Sequence, residues 1–217
     1  MKRTLYLLFV VFMLGILESC NSEITTGTLN GHEWVDLGLP SGTCWATYNV
    51  GAAIPEGYGD NFAWGEIEPK ETYNFDNYRF RKSGCGKKVL FSKYVTGSRY
   101  GDVDNLTTLE ASDDAATVNW GAGWRMPTYD EFKELKSICN YTYTTRNGVK
   151  GWLFTGSNGN SIFLPITDTE FYWSSSLFGG YPAPAWSLWV RRAGCTFFES
   201  SRYDGLSVRP VCVPTKN

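Results

Sequence analysis

The sequence is poor in the side chains that most catalytic and metal sites require. Of its 217 residues one is histidine, His32. A Ser-His-Asp or Cys-His centre needs an imidazole within hydrogen-bond reach of its nucleophile, and His32 reads instead as a solvated or strand-packing residue. No Cys-x-x-Cys pair is present, which disfavours a zinc ribbon. Asp102 and Asp104 begin like a calcium loop, but Leu106 and Thr107 stand where an acid or amide and a glycine belong. There is no glycine loop of the kind that cradles phosphate. Basic charge is not in excess either: 20 Lys and Arg against 22 Asp and Glu give a net charge of −2, so nothing invites nucleic acid. These absences argue against catalysis and imply no cofactor.

What is present starts at the N-terminus. Lys2 and Arg3 precede an almost unbroken apolar run from Leu5 to Leu17, followed by Leu17-Glu18-Ser19-Cys20. Charge, a short apolar stretch and a small residue are the parts of a secretory signal. A cysteine directly after that small residue resembles the bacterial lipobox, which implies cleavage after residue 19, lipidation of Cys20 and a membrane held through the lipid anchor. Each buried methylene is worth about 0.8 kcal/mol, and several chains together anchor stably. We therefore read residues 1–19 as a lipoprotein signal peptide, 20–30 as a lipidated polar tether and 31–217 as one domain, placed at the bacterial outer membrane. Removing Lys2, Arg3 and Glu18 leaves 18 basic and 21 acidic side chains, a net charge of −3. Beyond residue 20 no apolar run is long enough to span a bilayer.

The domain's 23 glycines and abundant aromatics favour short strands and turns. Glu33 to Val50 reads as two strands broken by Gly38-Leu39-Pro40-Ser41-Gly42, and Asn61 to Trp64 as another. Residues 66–112 are polar and irregular, so long loops are expected, with a turn of helix near Asp113 to Asn119. The clearest helix starts at Thr128: Thr128 and Glu131 have capping-box spacing, and Phe132, Leu135 and Cys139 fall on one face. Asn147-Gly148 joins Tyr141 to Thr145 and Val149 to Thr155 as a hairpin. Further strands are expected at Ser161 to Leu164, Ala185 to Arg191, Thr196 to Ser200 and Leu206 to Val213.

Lipidation of Cys20 leaves an odd set: Cys44, Cys85, Cys139, Cys195 and Cys212. Cys139 faces inward on the helix and Cys212 inward on the last strand. A Cys139–Cys212 disulfide is therefore expected, worth about 4 kcal/mol by loop closure. The partners of Cys44, Cys85 and Cys195 stay open.

Several stretches carry a resemblance. They are Trp34-Val35-Asp36-Leu37-Gly38-Leu39-Pro40-Ser41-Gly42-Thr43, Tyr58-Gly59-Asp60 to Trp64-Gly65-Glu66, Gly123-Trp124-Arg125-Met126-Pro127-Thr128, Tyr172-Trp173-Ser174-Ser175-Ser176 and Leu206-Ser207-Val208-Arg209-Pro210-Val211-Cys212. In this order they resemble the Fibrobacter succinogenes major paralogous domain, frequent on lipoproteins of gut Bacteroidetes, across nearly all of residues 31–213. The resemblance implies an α+β, C-type-lectin-like fold: one or two short helices, a curled antiparallel sheet and long loops, the late ones forming a binding surface. The Glu-Pro-Asn and Trp-Asn-Asp runs of calcium-dependent lectins are missing, so the resemblance implies neither calcium nor sugar. Cys195 and Cys212 lack the setting of the catalytic cysteines in the formylglycine-generating enzymes of the same fold class. The bracket from Tyr172 to Pro210 also resembles the variable region of proteins diversified by retroelements.

In Ala185 to Arg191, strand parity puts Trp186, Leu188 and Val190 on a core face and Ser187, Trp189 and Arg191 on the other. Tryptophan and arginine on an outward face are typical of binding hot spots. With Phe178, Tyr181, Phe198, Tyr203 and Asp204 they form the candidate ligand face, within a segment 177–204 that a retroelement would diversify. The expected partner is a protein or glycan at the cell surface. A second reading is a structural or fimbria-associated envelope protein whose aromatics pack on a partner subunit. A glycan-active enzyme ranks last: Glu66, Glu68 and Glu71 lie beside Trp64 and Tyr73, as an acid and base at a sugar would, but Pro69 marks an exposed, solvated turn.

Overall fold

In the computed structural model, residues 25–84, 88–179 and 181–214 are described; the expected signal segment, Cys20 and Cys85 lie outside them. Along the chain come strands β1 (Thr26–Leu29), β2 (His32–Asp36), β3 (Cys44–Ala46) and β4 (Asn61–Phe62), then helix α1 (Ala115–Trp120), β5 (Trp124–Arg125) and helix α2 (Tyr129–Ile138). After α2 the chain is strand and turn: β6 (Asn140–Arg146), β7 (Val149–Thr155), β8 (Ser161–Pro165), β9 (Thr169–Leu177), β10 (Pro184–Arg191), β11 (Gly194–Ser201), β12 (Leu206–Ser207) and β13 (Val211–Cys212). Among the described residues no helix is long and apolar enough to cross a membrane.

Local chemistry accounts for the boundaries. At Thr128 the capping box is complete: its hydroxyl accepts the Glu131 N–H at 3.2 Å, and the Glu131 carboxylate accepts the Thr128 N–H at 2.8 Å. Asp114 caps α1 by accepting the Thr117 N–H at 3.0 Å. Asn147 and Gly148 both take positive φ, 46° and 84°, so the β6–β7 hairpin turns as the dipeptide requires. Residues 66–112 run as loops with three-residue turns at Phe75–Asn77 and Ser98–Tyr100.

The strands assemble into curled, almost wholly antiparallel sheets ordered β1-β2-β3-β13-β5, β11-β10-β9-β12-β4 and β6-β7-β8. The exception is the parallel pairing of β12 with β9. The central strands of the first two sheets bury both faces. In β3, Cys44 and Ala46 enter one core while Trp45 enters a second; in β13, Cys212 enters the first and Val211 the second; in β9, Trp173 and Tyr172 divide the same way. The first core gathers Phe62, Trp64, Phe91, Tyr94, Trp124 and Trp173. The second gathers Trp45, Phe132, Leu135, Phe154, Leu164 and Leu188 under α2.

That division corrects two expectations. Cys139 and Cys212 do both point inward, but into different cores, and no disulfide joins them. Parity reports only that a side chain leaves the solvent, and a sheet covered on both faces has two insides. Residues 20–30, expected as a polar tether, are also not irregular throughout. Thr26–Leu29 within them is β1, which pairs with β2 from Thr26↔Val35 to Leu29↔His32. The Asn30 amide donates to the Trp120 and Ala122 carbonyls at 3.0 and 2.9 Å.

Candidate functional site

The β10–β11 hairpin registers Ser187 opposite Phe198 and Trp189 opposite Thr196, while β9 sets Phe171 opposite Trp189. Three rings meet there. Phe171 and Trp189 lie parallel, 3° apart with centroids at 5.6 Å, and Phe198 stands edge-on to both at 5.7 and 5.5 Å. The Arg191 guanidinium caps the indole, 4.1 Å from its ring centre. The indole N–H donates to the Thr169 hydroxyl at 2.6 Å. The Trp152 N–H holds the Arg191 carbonyl at 3.0 Å. Each ring contact is worth about 0.5–1.5 kcal/mol beyond its buried area, so Trp189 is fixed in one pose. Phe198 keeps 43% of its surface exposed and Arg191 is open to solvent.

Trp189, Arg191 and Phe198 therefore come together as the sequence implies, joined by Phe171 and Thr169, which sequence reasoning missed. Their signal was present as i, i+2 spacing in Thr169 to Trp173, but adjacent bulky apolar residues hid the alternation. Ser187 does not belong to the surface. It is 1% exposed, 2.9 Å from the Ser200 hydroxyl and donating to the Phe198 carbonyl at 3.2 Å. Trp173 fills the same sheet face at that level and closes it.

Phe178 and Tyr181 form a second group. Phe178 meets Trp186 at 4.8 Å and Tyr181 at 5.7 Å, and Trp186 stacks on Tyr129 of α2 at 4.3 Å. Since Trp186 and Trp189 differ in parity, Trp186 and the Phe178 ring on it lie on the opposite face of β10 from the Trp189 group, while Tyr181 sits in the loop before β10 and also meets Tyr100 at 6.2 Å. Trp186 thus covers α2 half-buried rather than lying in the core. Tyr203 packs on Phe75 and Tyr78 at the first core's edge. Asp204 is half-buried in the turn after β11, and burial raises its carboxyl above the usual range. Between these groups Arg202 is fully buried. Its guanidinium lies over Phe91 and Trp64 at 4.3 and 5.0 Å and donates to the Tyr78 hydroxyl and the Lys93, Tyr94 and Pro182 carbonyls.

Other chemistry is committed to structure. Glu66 accepts the Arg79 N–H and pairs with Lys70, both at 2.7 Å, while Glu68 and Glu71 are exposed. The Asp104 carboxylate accepts the N–H groups of Tyr94, Val95 and Leu106. Burial would raise its pKa, but these backbone donors hold it low. Among the described residues no group of three or more His, Cys, Asp or Glu is placed to hold a metal. A cleft of about 470 Å³ opens beside Gly123 to Arg125, lined by Asp114, Thr117, Arg125, Thr128 and Ser175. Its charges are spent: Asp114 holds the Thr117 and Met126 amides, and Arg125 forks onto Glu131.

Fold and site together define an α+β domain of curled antiparallel sheets with a rigid aromatic surface on its late hairpin. No family model, no curated protein and no solved structure matches the chain.

Proposed function

We propose that this chain is an exported bacterial lipoprotein whose C-type-lectin-like domain binds a protein or glycan at the cell surface. Binding is assigned to the outer face of β9, β10 and β11. One observation carries the reading: the indole of Trp189 lies parallel to Phe171 and under the Arg191 guanidinium, with Phe198 exposed beside it. A pre-fixed aromatic and an exposed guanidinium lose little entropy on contact, the economy that hot spots and aromatic paratopes exploit. The contact list is then Phe171, Trp189, Arg191 and Phe198, with Phe178 on the other face of β10 and Tyr181 in the loop before it as a lesser patch.

Diversification by a retroelement is part of the same proposal, with a physical limit. Within 177–204, exposed positions such as Arg191 and Phe198 accept many side chains. Arg202 and Ser187 do not, because each closes a buried network.

The test is binding of the purified domain to a glycan array and a panel of envelope proteins, repeated with Trp189→Ala. Loss of a hot spot costs about 2 kcal/mol or more, so affinity should fall at least about 30-fold with the near-ultraviolet circular dichroism otherwise retained. Equal affinities would remove this face from the site. Palmitate labelling that persists in Cys20→Ser would refute the anchor. Genes flanking the locus without a near-copy of codons 172–212 would end the retroelement reading.

A further inference from the structure

β3 and β13 run antiparallel near the middle of the first sheet, in a register that sets Cys44 opposite Cys212. The phase of the ladder is fixed by the Ala46 N–H, which donates to the Pro210 carbonyl at 2.9 Å. Hydrogen-bonded positions recur at every second residue of an antiparallel pair, so Cys44 and Cys212 occupy one. Opposed residues there stand about 5.5 Å apart at Cα and project to the same face. Disulfides span about 4.4–6.8 Å between Cα atoms and about 3.5–4.5 Å between Cβ atoms, so the opposed Cβ atoms, about 5.5 Å apart at such a pair, must draw together for the bond to form. Both side chains enter the first core, Cys44 fully buried and Cys212 1% exposed, and in the structure no disulfide joins them. The Cys212 thiol also feels Cys44 electrostatically. Cys139 and Cys195 lie in the other core.

We propose that Cys44 and Cys212 are this protein's disulfide partners, joining β3 to the C-terminal strand β13 and closing the chain between them into one covalent ring. The oxidant is a protein disulfide of the thiol-oxidase class. One cysteine thiolate attacks it and forms a mixed disulfide; the second thiolate displaces that bond. The new S–S bond forms as the oxidant's is reduced, and the two protons lost by the cysteines end on the oxidant's two thiols. The step precedes docking of β13. Once folded, burial pushes the Cys212 thiol up to about 12, leaving almost no thiolate to react.

The experiment is peptide mapping of alkylated, unreduced full-length protein from the envelope of an expressing bacterium, beside the same chain refolded from denaturant in glutathione redox buffer. A Cys44–Cys212 linked peptide is expected from both. The refolding arm needs no export: a link made there but missing from cells overturns delivery to an oxidising compartment and leaves the pairing standing. Alkylated Cys44 and Cys212 in both samples, or a Cys139–Cys212 link, overturns the pairing. Reduction should lower the melting temperature by about 10 °C or more, given a ring of this size and the length of the chain. The double variant Cys44→Ser, Cys212→Ser should show no such shift, and a shift that persists in it would assign the effect to other cysteines.

Discussion

Three arginines of the late segment show what a residue's identity leaves undecided. Arg191 caps an exposed indole, Arg202 is fully buried among aromatic faces, and Arg209 is fully buried on the Asn49 side chain and three carbonyls. Desolvation lowers Arg209 to about 10. In sequence all three are cations in turn-rich strands, and nothing local separates a contact residue from a structural one. His32 permits the cleanest measurement at this scale. Its ring stacks on Trp120 at 3.9 Å and 3°, and its Nδ1 lies 3.3 Å from the Tyr48 hydroxyl. Burial lowers its pKa below 6.5. Between the folded and unfolded values the unfolded chain binds the proton and the folded chain does not, so the contribution to stability is present above pH 6.5 and is lost as pH falls through that window. As the one histidine, its proton NMR titration is unambiguous. We expect a midpoint below 6.5 that returns toward 6.5 in Trp120→Ala; a midpoint at or above 6.5 in the unaltered protein would mean a solvated ring.

Among the elements, those fixed by local chemistry were legible and those fixed by their neighbours were not. The α2 cap, the Asn147-Gly148 hairpin and the short α1 each rest on two or three adjacent residues. β1 escaped because Thr26 to Leu29 alternates only between exposed and half-buried positions and has no apolar face to announce it. β9 was seen as a motif, not a strand, because Phe171, Tyr172 and Trp173 serve two faces at once. Even the legible cap does more than its spacing reveals. The Glu131 carboxylate accepts from the Thr43 hydroxyl at 2.8 Å and forks with Arg125, besides capping Thr128. Burial would raise its pKa, but these donors, Arg125 foremost, hold it low. Thr128→Ala removes one cap bond and should cost about 1 kcal/mol. Glu131→Ala removes the acceptor of the Thr43 hydroxyl and the Thr128 amide and leaves the Arg125 guanidinium only the Met126 carbonyl, and should cost about 2–3 kcal/mol. Urea denaturation distinguishes them; equal costs would show that Glu131 acts only as a cap.

For the molecule as a whole, the two cores share their walls. Cys44 and Ala46 face one while Trp45 faces the other, and β13 and β9 divide in the same way. Removing either core strips one face from strands whose other face depends on being held in place. This is also why the proposed binding face was only half legible. Alternation along β10 promised an outer and an inner side, but both sides are covered over most of its length, and the aromatic surface opens only where the hairpin runs past Trp173. The same coupling dictates how the protein unfolds. Leu135 is fully buried in the second core, and Leu135→Ala should cost about 2–5 kcal/mol. Tryptophan fluorescence reads mainly the first core, which holds Trp34, Trp64, Trp120, Trp124 and Trp173, whereas far-ultraviolet dichroism reads every strand. If the cores stand or fall together, the substitution shifts both signals to the same lower denaturant midpoint in a single transition. A fluorescence midpoint that stays in place while the dichroism midpoint moves would mean that the sheets between the cores do not couple them.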